Sequence, residues 1–123
     1  MPSSPAIGII LRAEQVAILI TGAALWLANG GPPWLLIPAL LVPDLSMVGY
    51  LRGPRLGSIT YNGVHHLVLA LALLGLGWWL RIGWLVLVGA VVLAHVGMDR
   101  ALGYGLKLPT DFRDTHLGRI GRS

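Results

Sequence analysis

Four long blocks of apolar residues, separated by short turns rich in glycine, proline and arginine, dominate the sequence. The blocks extend from about residue 13 to 28, 34 to 51, 58 to 80 and 82 to 99. A helix needs roughly 20 residues to cross the hydrocarbon of a bilayer. Because the apolar residues fill whole blocks instead of one helix face, they indicate lipid as the solvent. The pattern predicts an all-α integral membrane protein, a four-helix transmembrane bundle.

The composition supports this class of protein. Hydrophobic residues make up 55% of the 123 residues and charged residues only 11%, whereas a soluble domain carries about 25% charged residues. The length suits one domain, residues 1–123. Because the sequence has no cysteine, disulfides, thiolate metal sites and thiol nucleophiles are excluded. The opening MPSSPAIGII lacks the basic region of a signal peptide.

Basic residues predict the orientation of the bundle. All but one of the nine lysines and arginines fall on one side of the predicted spans, the exception being Arg81. Cytoplasmic loops carry an excess of basic residues. We therefore expect a multi-pass protein of the inner (plasma) membrane with both termini in the cytoplasm. The net charge of +4 then reflects this topology and membrane lipids with anionic head groups as partners. It does not indicate nucleic acid, because no nucleic-acid motif accompanies it.

The last segment, residues 100–123, is polar and punctuated by glycine. Thr110 followed by DFRD resembles a capped helix start, and Phe112, His116 and Ile120 recur at four-residue spacing. These features predict a short interfacial helix against the cytoplasmic mouth of the bundle. The alternative is a disordered basic tail.

The ionisable residues of the spans share one layer of the membrane. Asp44 and His65 each lie seven residues from the cytoplasmic end of their span, or about 10 Å deep at about 1.5 Å per residue. His95 lies one helical turn deeper than Asp99, which ends the fourth span, and Glu14 opens the first span on the same side. Acids and imidazoles from four different helices are therefore expected to converge.

The faces of the helices agree with this depth. His95 and Asp99, four residues apart, lie on one face of a helix and can bind one ion together. Pro43 has no N–H and is expected to leave the carbonyl of Ala39 without its helical partner beside Asp44. His65 and its neighbour His66 differ by about 100° around the helix, so only one of them can face the site well.

Several hypotheses account for such a cluster. A divalent metal ion is the first, and mixed carboxylate and imidazole ligands suit zinc, manganese or iron. A structural hydrogen-bond network that holds the helices together is the second. A proton or ion relay in a small transporter is the third, although the apolar outer halves of the spans support no path across the membrane. Bis-histidine haem binding is disfavoured by the accompanying carboxylates.

Four motifs, VPDLSMVGY, GPRLGSITYNGVHH, AHVGMDRALGYGLK and FRDTHLGRIG, resemble a family of small bacterial membrane proteins, domain of unknown function family 4260. LRAEQ in the first span fits the same family, so the resemblance covers nearly the whole chain. The family pattern favours His65 over His66 and brings no established activity. A looser similarity links Asp44 and the His95–Asp99 pair to membrane-bound metal-dependent hydrolases. The positions that the family pattern marks are Glu14, Asp44, Tyr61, Asn62, His65, His95, Asp99, Arg100 and His116.

The expected function is therefore metal binding, with hydrolysis of a lipid or other amphiphile at the cytoplasmic interface as the expected reaction. The predicted metal ligands are Asp44, His65, His95 and Asp99. The predicted catalytic residues are Glu14 or His116 as general base or acid, with Tyr61 and Asn62 orienting ligands or substrate. The alternative from another class is a non-catalytic membrane protein, alone or as a homodimer, with a structural polar network.

Overall fold

The computed structural model describes residues 4–120. Within them, four helical stretches are long and apolar enough to cross a membrane. The predicted all-α fold with four spans is confirmed. Arg122, one of the basic residues of the predicted cytoplasmic side, lies outside the described residues. The helices are α1 (Pro5–Ala28), α2 (Pro33–Leu41), a 3₁₀ helix (Val42–Arg52), α3 (Pro54–Val64), α4 (Leu67–Leu80) and α5 (Gly83–Ala101).

Helix α5 forms the core of the bundle. Of the apolar stretch of α5, 61% of the residues are buried, whereas only 6% are buried in α1. Glycines let the other helices approach α5 closely, as small residues do in membranes. A Cβ atom at Gly97 would lie 2.7 Å from the carbonyl of Gln15 in α1, and one at Gly89 would lie 2.9 Å from the main-chain nitrogen of Leu74 in α4. The residues of α5 are therefore positioned by contacts with its neighbours.

The first span begins earlier than the sequence predicted. Helix α1 starts at Pro5, and the Ser4 hydroxyl accepts a hydrogen bond from the N–H of Ile7 as an N-cap. Proline in the first turn and a capping serine are the usual start signals of a helix. Because the residues before Ala13 continue the helix, the predicted start near residue 13 was wrong, and the span extends through its flank.

Two of the spans change their backbone conformation at the level of the polar residues. In the second span the α-helix gives way to the 3₁₀ helix at Val42. In the third span α3 ends at His65, and His66 adopts an extended conformation (φ −133°, ψ 153°) before α4. Broken helices are tolerated at membrane depth where the freed polar groups find partners inside the protein.

The C-terminal segment is a hairpin, so the predicted interfacial helix was wrong. Strand β1 (Asp114–Thr115) pairs antiparallel with β2 (Gly118–Arg119), and Lys107 forms a β-bridge with Thr115. The Thr110 hydroxyl donates to the Asp114 carboxylate at 2.6 Å instead of capping a helix. These local hydrogen bonds compete with helix formation, and the contact of Asn62 with the main chain of Lys107 joins the segment to α3.

Candidate metal centre

Four side chains each contribute one donor atom to a cluster inside the bundle. The donor atoms of Asp44, His65, His95 and Asp99 all lie within 4.8 Å of one another. The two histidine Nε2 atoms are 3.0 Å apart. Asp44 Oδ1 lies 3.1 Å from His95 Nε2 and 3.3 Å from His65 Nε2. Asp99 Oδ2 lies 3.3 Å and 3.8 Å from the same two atoms. The structure thus brings together the four residues predicted as metal ligands.

The opposite ring nitrogen fixes the tautomer of each histidine. His65 Nδ1 lies 2.7 Å from the main-chain carbonyl of Tyr61, and His95 Nδ1 is hydrogen-bonded to the carbonyl of Leu40. Because a carbonyl only accepts hydrogen bonds, each Nδ1 carries a proton, and Nε2 is the ring nitrogen that faces the cluster. Two imidazole Nε2 atoms and two carboxylates therefore face one another.

The donor set fits a small divalent cation. Four acceptor atoms this close repel one another unless a cation or protons lie between them. In a tetrahedral site with Zn–N bonds of about 2.0–2.1 Å, the ligand atoms are about 3.3 Å apart. Five of the six distances among these four atoms range from 3.0 to 3.8 Å, and all six are within 4.8 Å. The chemistry of the donors and most of their spacings fit such an ion.

Pro43 leaves the carbonyl of Leu40 free to accept from His95, whereas the sequence predicted a free carbonyl at the preceding residue, Ala39. The sequence predicted that the carbonyl of Ala39 loses its partner, but the N–H of Val42 donates to it. In 3₁₀ geometry the carbonyl of Leu40 would accept from residue 43, and proline has no N–H to donate. His95 Nδ1 occupies this free acceptor.

Tyr61 and Asn62 have different surroundings. The buried Tyr61 hydroxyl donates to Asp99 Oδ2 at 2.7 Å, and its ring stacks on that of His65 with centroids 3.6 Å apart. This placement matches the predicted orienting role. The Asn62 side chain instead pairs with the main chain of Lys107, at 2.8 Å and 2.7 Å. Asn62 therefore positions the C-terminal segment and not a member of the cluster.

Glu14 and His116, the predicted general base or acid, lie apart from the cluster. Glu14 is exposed well inside α1 and does not open the helix, because α1 begins at Pro5. His116 is exposed on the hairpin, and its Nδ1 accepts from the N–H of Leu106 at 2.8 Å. Partial burial and the nearby Arg100 guanidinium lower the pKa of His116. Across residues 4–120, neither side chain belongs to the group of four.

His66 and Arg100 support the break in the third span. The Nδ1 atom of His66 accepts from the N–H of Leu69 at 3.2 Å and thereby caps α4. A guanidinium nitrogen of Arg100 donates to the carbonyl of His65 at 3.2 Å. The structure thus places His65 in the cluster and gives His66 a capping role.

A cavity of about 220 Å³ reaches the cluster from its carboxylate side, and it is called the polar cavity for the charged groups of Asp44, Asp99 and Lys107 in its wall. Lys107 lines it and is only 4% exposed. The Lys107 ammonium lies 4.0 Å from the ring centroid of Phe112 and 4.9 Å from that of Tyr61. Burial lowers the pKa of Lys107, although the carboxylates of the cluster oppose this shift. Sequence reasoning counted Lys107 only as a cytoplasmic charge, and its place in the GYGLK motif was the one signal.

The described fold and cluster define a multi-pass α-helical membrane protein with a possible metal-binding site of two imidazoles and two carboxylates. The chain belongs to the family Domain of unknown function (DUF4260), whose family model matches residues 8–120. This match confirms the family resemblance carried by the sequence motifs. No curated protein and no solved structure matches the chain.

Proposed function

We propose that this protein binds one divalent metal ion through Asp44, His65, His95 and Asp99 and hydrolyses an amphiphile with it. The supporting observation is the convergence of four acceptor atoms within 4.8 Å in a helical membrane bundle. Mixed imidazole and carboxylate ligands suit zinc, manganese or iron.

The exposure of the ligands defines the side from which a substrate approaches. The Asp44 side chain is 34% exposed and that of Asp99 11%, whereas His65 and His95 are 3% and 0% exposed. The cavity beside the two carboxylates therefore leads to the open side of the site. A divalent ion held by these four side chains would supply Lewis acidity there. His65 and His95 would ligate it from the buried side.

Two cavities on either side of the 3₁₀ helix favour an amphiphilic substrate. Asp44 and Met47 line the polar cavity. Pro43 and Ser46, on the same helix, line a cleft of about 710 Å³ whose other walls are almost entirely apolar. The polar cavity suits a polar head group and the apolar cleft suits a hydrocarbon chain, so an amphiphile matches both. In the orientation we propose, with cytoplasmic termini in the inner membrane, the polar cavity opens to the cytoplasmic interface.

Elemental analysis of protein purified without added metal tests the metal site. We expect about one divalent ion per chain, and its loss in the Asp44→Asn and His95→Ala variants. Glu14→Gln is the matched control, because it removes an exposed carboxylate from the same family pattern and is expected to keep the ion. Metal-free wild-type protein whose unfolding temperature is insensitive to chelator would contradict the metal site. It would support the alternative, a non-catalytic polar network that holds the helices together.

Hydrolysis is tested separately, by incubating the metal-loaded protein in detergent with a panel of lipid esters and phosphodiesters. We expect turnover that chelator abolishes and the same ion restores. Glu14→Gln and His116→Gln then test the predicted role of Glu14 or His116 as general base or acid. A lower rate with unchanged metal content would support the role of that residue, and an unchanged rate would contradict it. Metal-loaded protein without any turnover would contradict the enzyme hypothesis and leave the metal site intact.

A further inference from the structure

Lys107 is a buried cation that forms no direct ion pair within residues 4–120. Its side chain is 4% exposed, and none of the ion pairs among residues 4–120 includes it. Its ammonium contacts the faces of two aromatic rings and lines the polar cavity together with Asp44 and Asp99. Burying a charge without a direct partner is unfavourable, so an anion in the cavity would stabilise the ammonium.

Three residues hold Lys107 in place. The Asn62 amide in α3 donates to its carbonyl and accepts from its N–H. Thr115 of the hairpin forms a β-bridge with it, and Phe112 covers the ammonium. The position of this charge is therefore built into the fold. A surface lysine carries no such set of contacts.

The charge of the site defines the charge of the anion. A bound divalent ion would balance the two carboxylates of Asp44 and Asp99, and histidines that ligate it through Nε2 would be neutral. Lys107 would then leave one positive charge in the cavity. At about 30 Å³ per water molecule, 220 Å³ holds a small oxyanion with a few waters. It lies below the about 300–1,000 Å³ of pockets for drug-sized ligands.

We propose that the Lys107 ammonium and the open side of the metal centre form a subsite for a single phosphate-ester group. Lysine is a common phosphate ligand, and a singly charged phosphodiester matches the remaining positive charge. The inference rests on the proposed function and names its substrate class. A phospholipid head group and a soluble phosphate share this chemistry, and the apolar cleft behind the 3₁₀ helix favours the lipid.

Binding of two probes to the full-length protein tests the subsite. Isothermal titration with inorganic phosphate and with a short-chain phosphatidylglycerol is compared for the wild type, Lys107→Met and Arg113→Met. Methionine retains the length and packing of lysine without its charge, and Arg113 is an exposed basic residue of the same hairpin. We expect Lys107→Met to weaken binding about tenfold or more and Arg113→Met to leave it unchanged. Lys107→Arg restores the charge and is expected to recover part of the affinity.

Metal content, measured on the same samples, separates this inference from the proposed function. Unchanged metal in Lys107→Met shows that the variant is folded, and weaker binding then supports the subsite. Binding of the lipid alone identifies a head group, and equal binding of inorganic phosphate identifies a soluble source. Wild-type protein that holds metal but binds neither probe would overturn the subsite alone. Lys107-dependent binding in metal-free protein would overturn the metal site alone.

Discussion

Each imidazole of the cluster makes two kinds of contact, one through each ring nitrogen. The Nδ1 atoms of His65 and His95 are held by main-chain carbonyls, and the Nε2 atoms face the carboxylates of Asp44 and Asp99. A charged side chain in the middle of a bilayer costs about 2.5–3.5 kcal/mol on insertion scales. The four groups are compatible with this depth because they contact one another, and a shared ion would satisfy all of them.

Tyr61 offers the sharpest test at the residue scale. In Tyr61→Phe, Asp99 Oδ2 loses the hydroxyl that donates to it at 2.7 Å. Partners that orient metal ligands typically contribute about 10–100-fold in affinity, so we expect zinc affinity to fall by that factor. Competition with a chromophoric chelator measures it.

Tyr50→Phe is the control for this variant. Within residues 4–120 the Tyr50 hydroxyl is buried and makes no hydrogen bond, so its removal leaves no partner unsatisfied. We expect unchanged zinc affinity. Equal affinities of the two variants would show that the contact between Tyr61 and Asp99 does not orient a ligand.

At the scale of elements, helix breaks supply the acceptors that hold the histidines. Helix α3 ends at His65, which leaves the Tyr61 carbonyl to the imidazole of His65 itself. The change from α to 3₁₀ geometry before Pro43 leaves the Leu40 carbonyl to His95. Irregular backbone at membrane depth therefore coincides with the polar cluster, as expected where it serves a site.

Pro43→Ala tests this dependence. Alanine supplies an N–H that competes with His95 Nδ1 for the Leu40 carbonyl, so we expect zinc affinity to fall about tenfold. The unfolding temperature of the metal-free protein should not fall, because proline has no N–H whose hydrogen bond alanine would lose. Pro38→Ala, at an exposed position inside α2, is the control and should keep the affinity. Equal affinity in both variants would contradict a role for the break.

On the scale of the whole molecule, side chains from other helices meet those of helix α5. Helix α5 contributes His95 and Asp99 from the buried core, the 3₁₀ helix contributes Asp44, and the end of α3 contributes His65. The C-terminal hairpin adds Phe112 to the wall of the polar cavity. The site is therefore a property of the packed bundle and lies on the side predicted to be cytoplasmic.

Cysteine labelling tests that orientation, since the chain contains no cysteine of its own. Gly83→Cys lies at the first residue of α5, where a Cβ would meet nothing within 4 Å, and Leu51→Cys lies before the turn to α3 at a residue that is 86% exposed. We expect a membrane-impermeant maleimide to label Gly83→Cys in intact cells and Leu51→Cys only after permeabilisation. The reverse pattern would place both termini outside the cytoplasm.

The sequence by itself determined the four spans and the membership of the cluster. Long apolar blocks specify membrane helices because every main-chain polar group in lipid must be paired within the protein. The regular rise of a helix gave Asp44 and His65 a common depth, and the spacing of His95 and Asp99 gave them one face. These are periodic properties of single helices, which is why they could be predicted before packing was known.

Only the tertiary structure decided which acceptors hold the ring nitrogens and what closes the site. Sequence reasoning predicted a free carbonyl at Ala39, but the change to 3₁₀ geometry moved it to Leu40. It also predicted a helix where the hairpin lies, and it gave no role in a site to Lys107. The main chain of Lys107 contacts Asn62, which lies 45 residues earlier in the sequence. Contacts between distant segments follow no local period, so only the folded bundle brings them together.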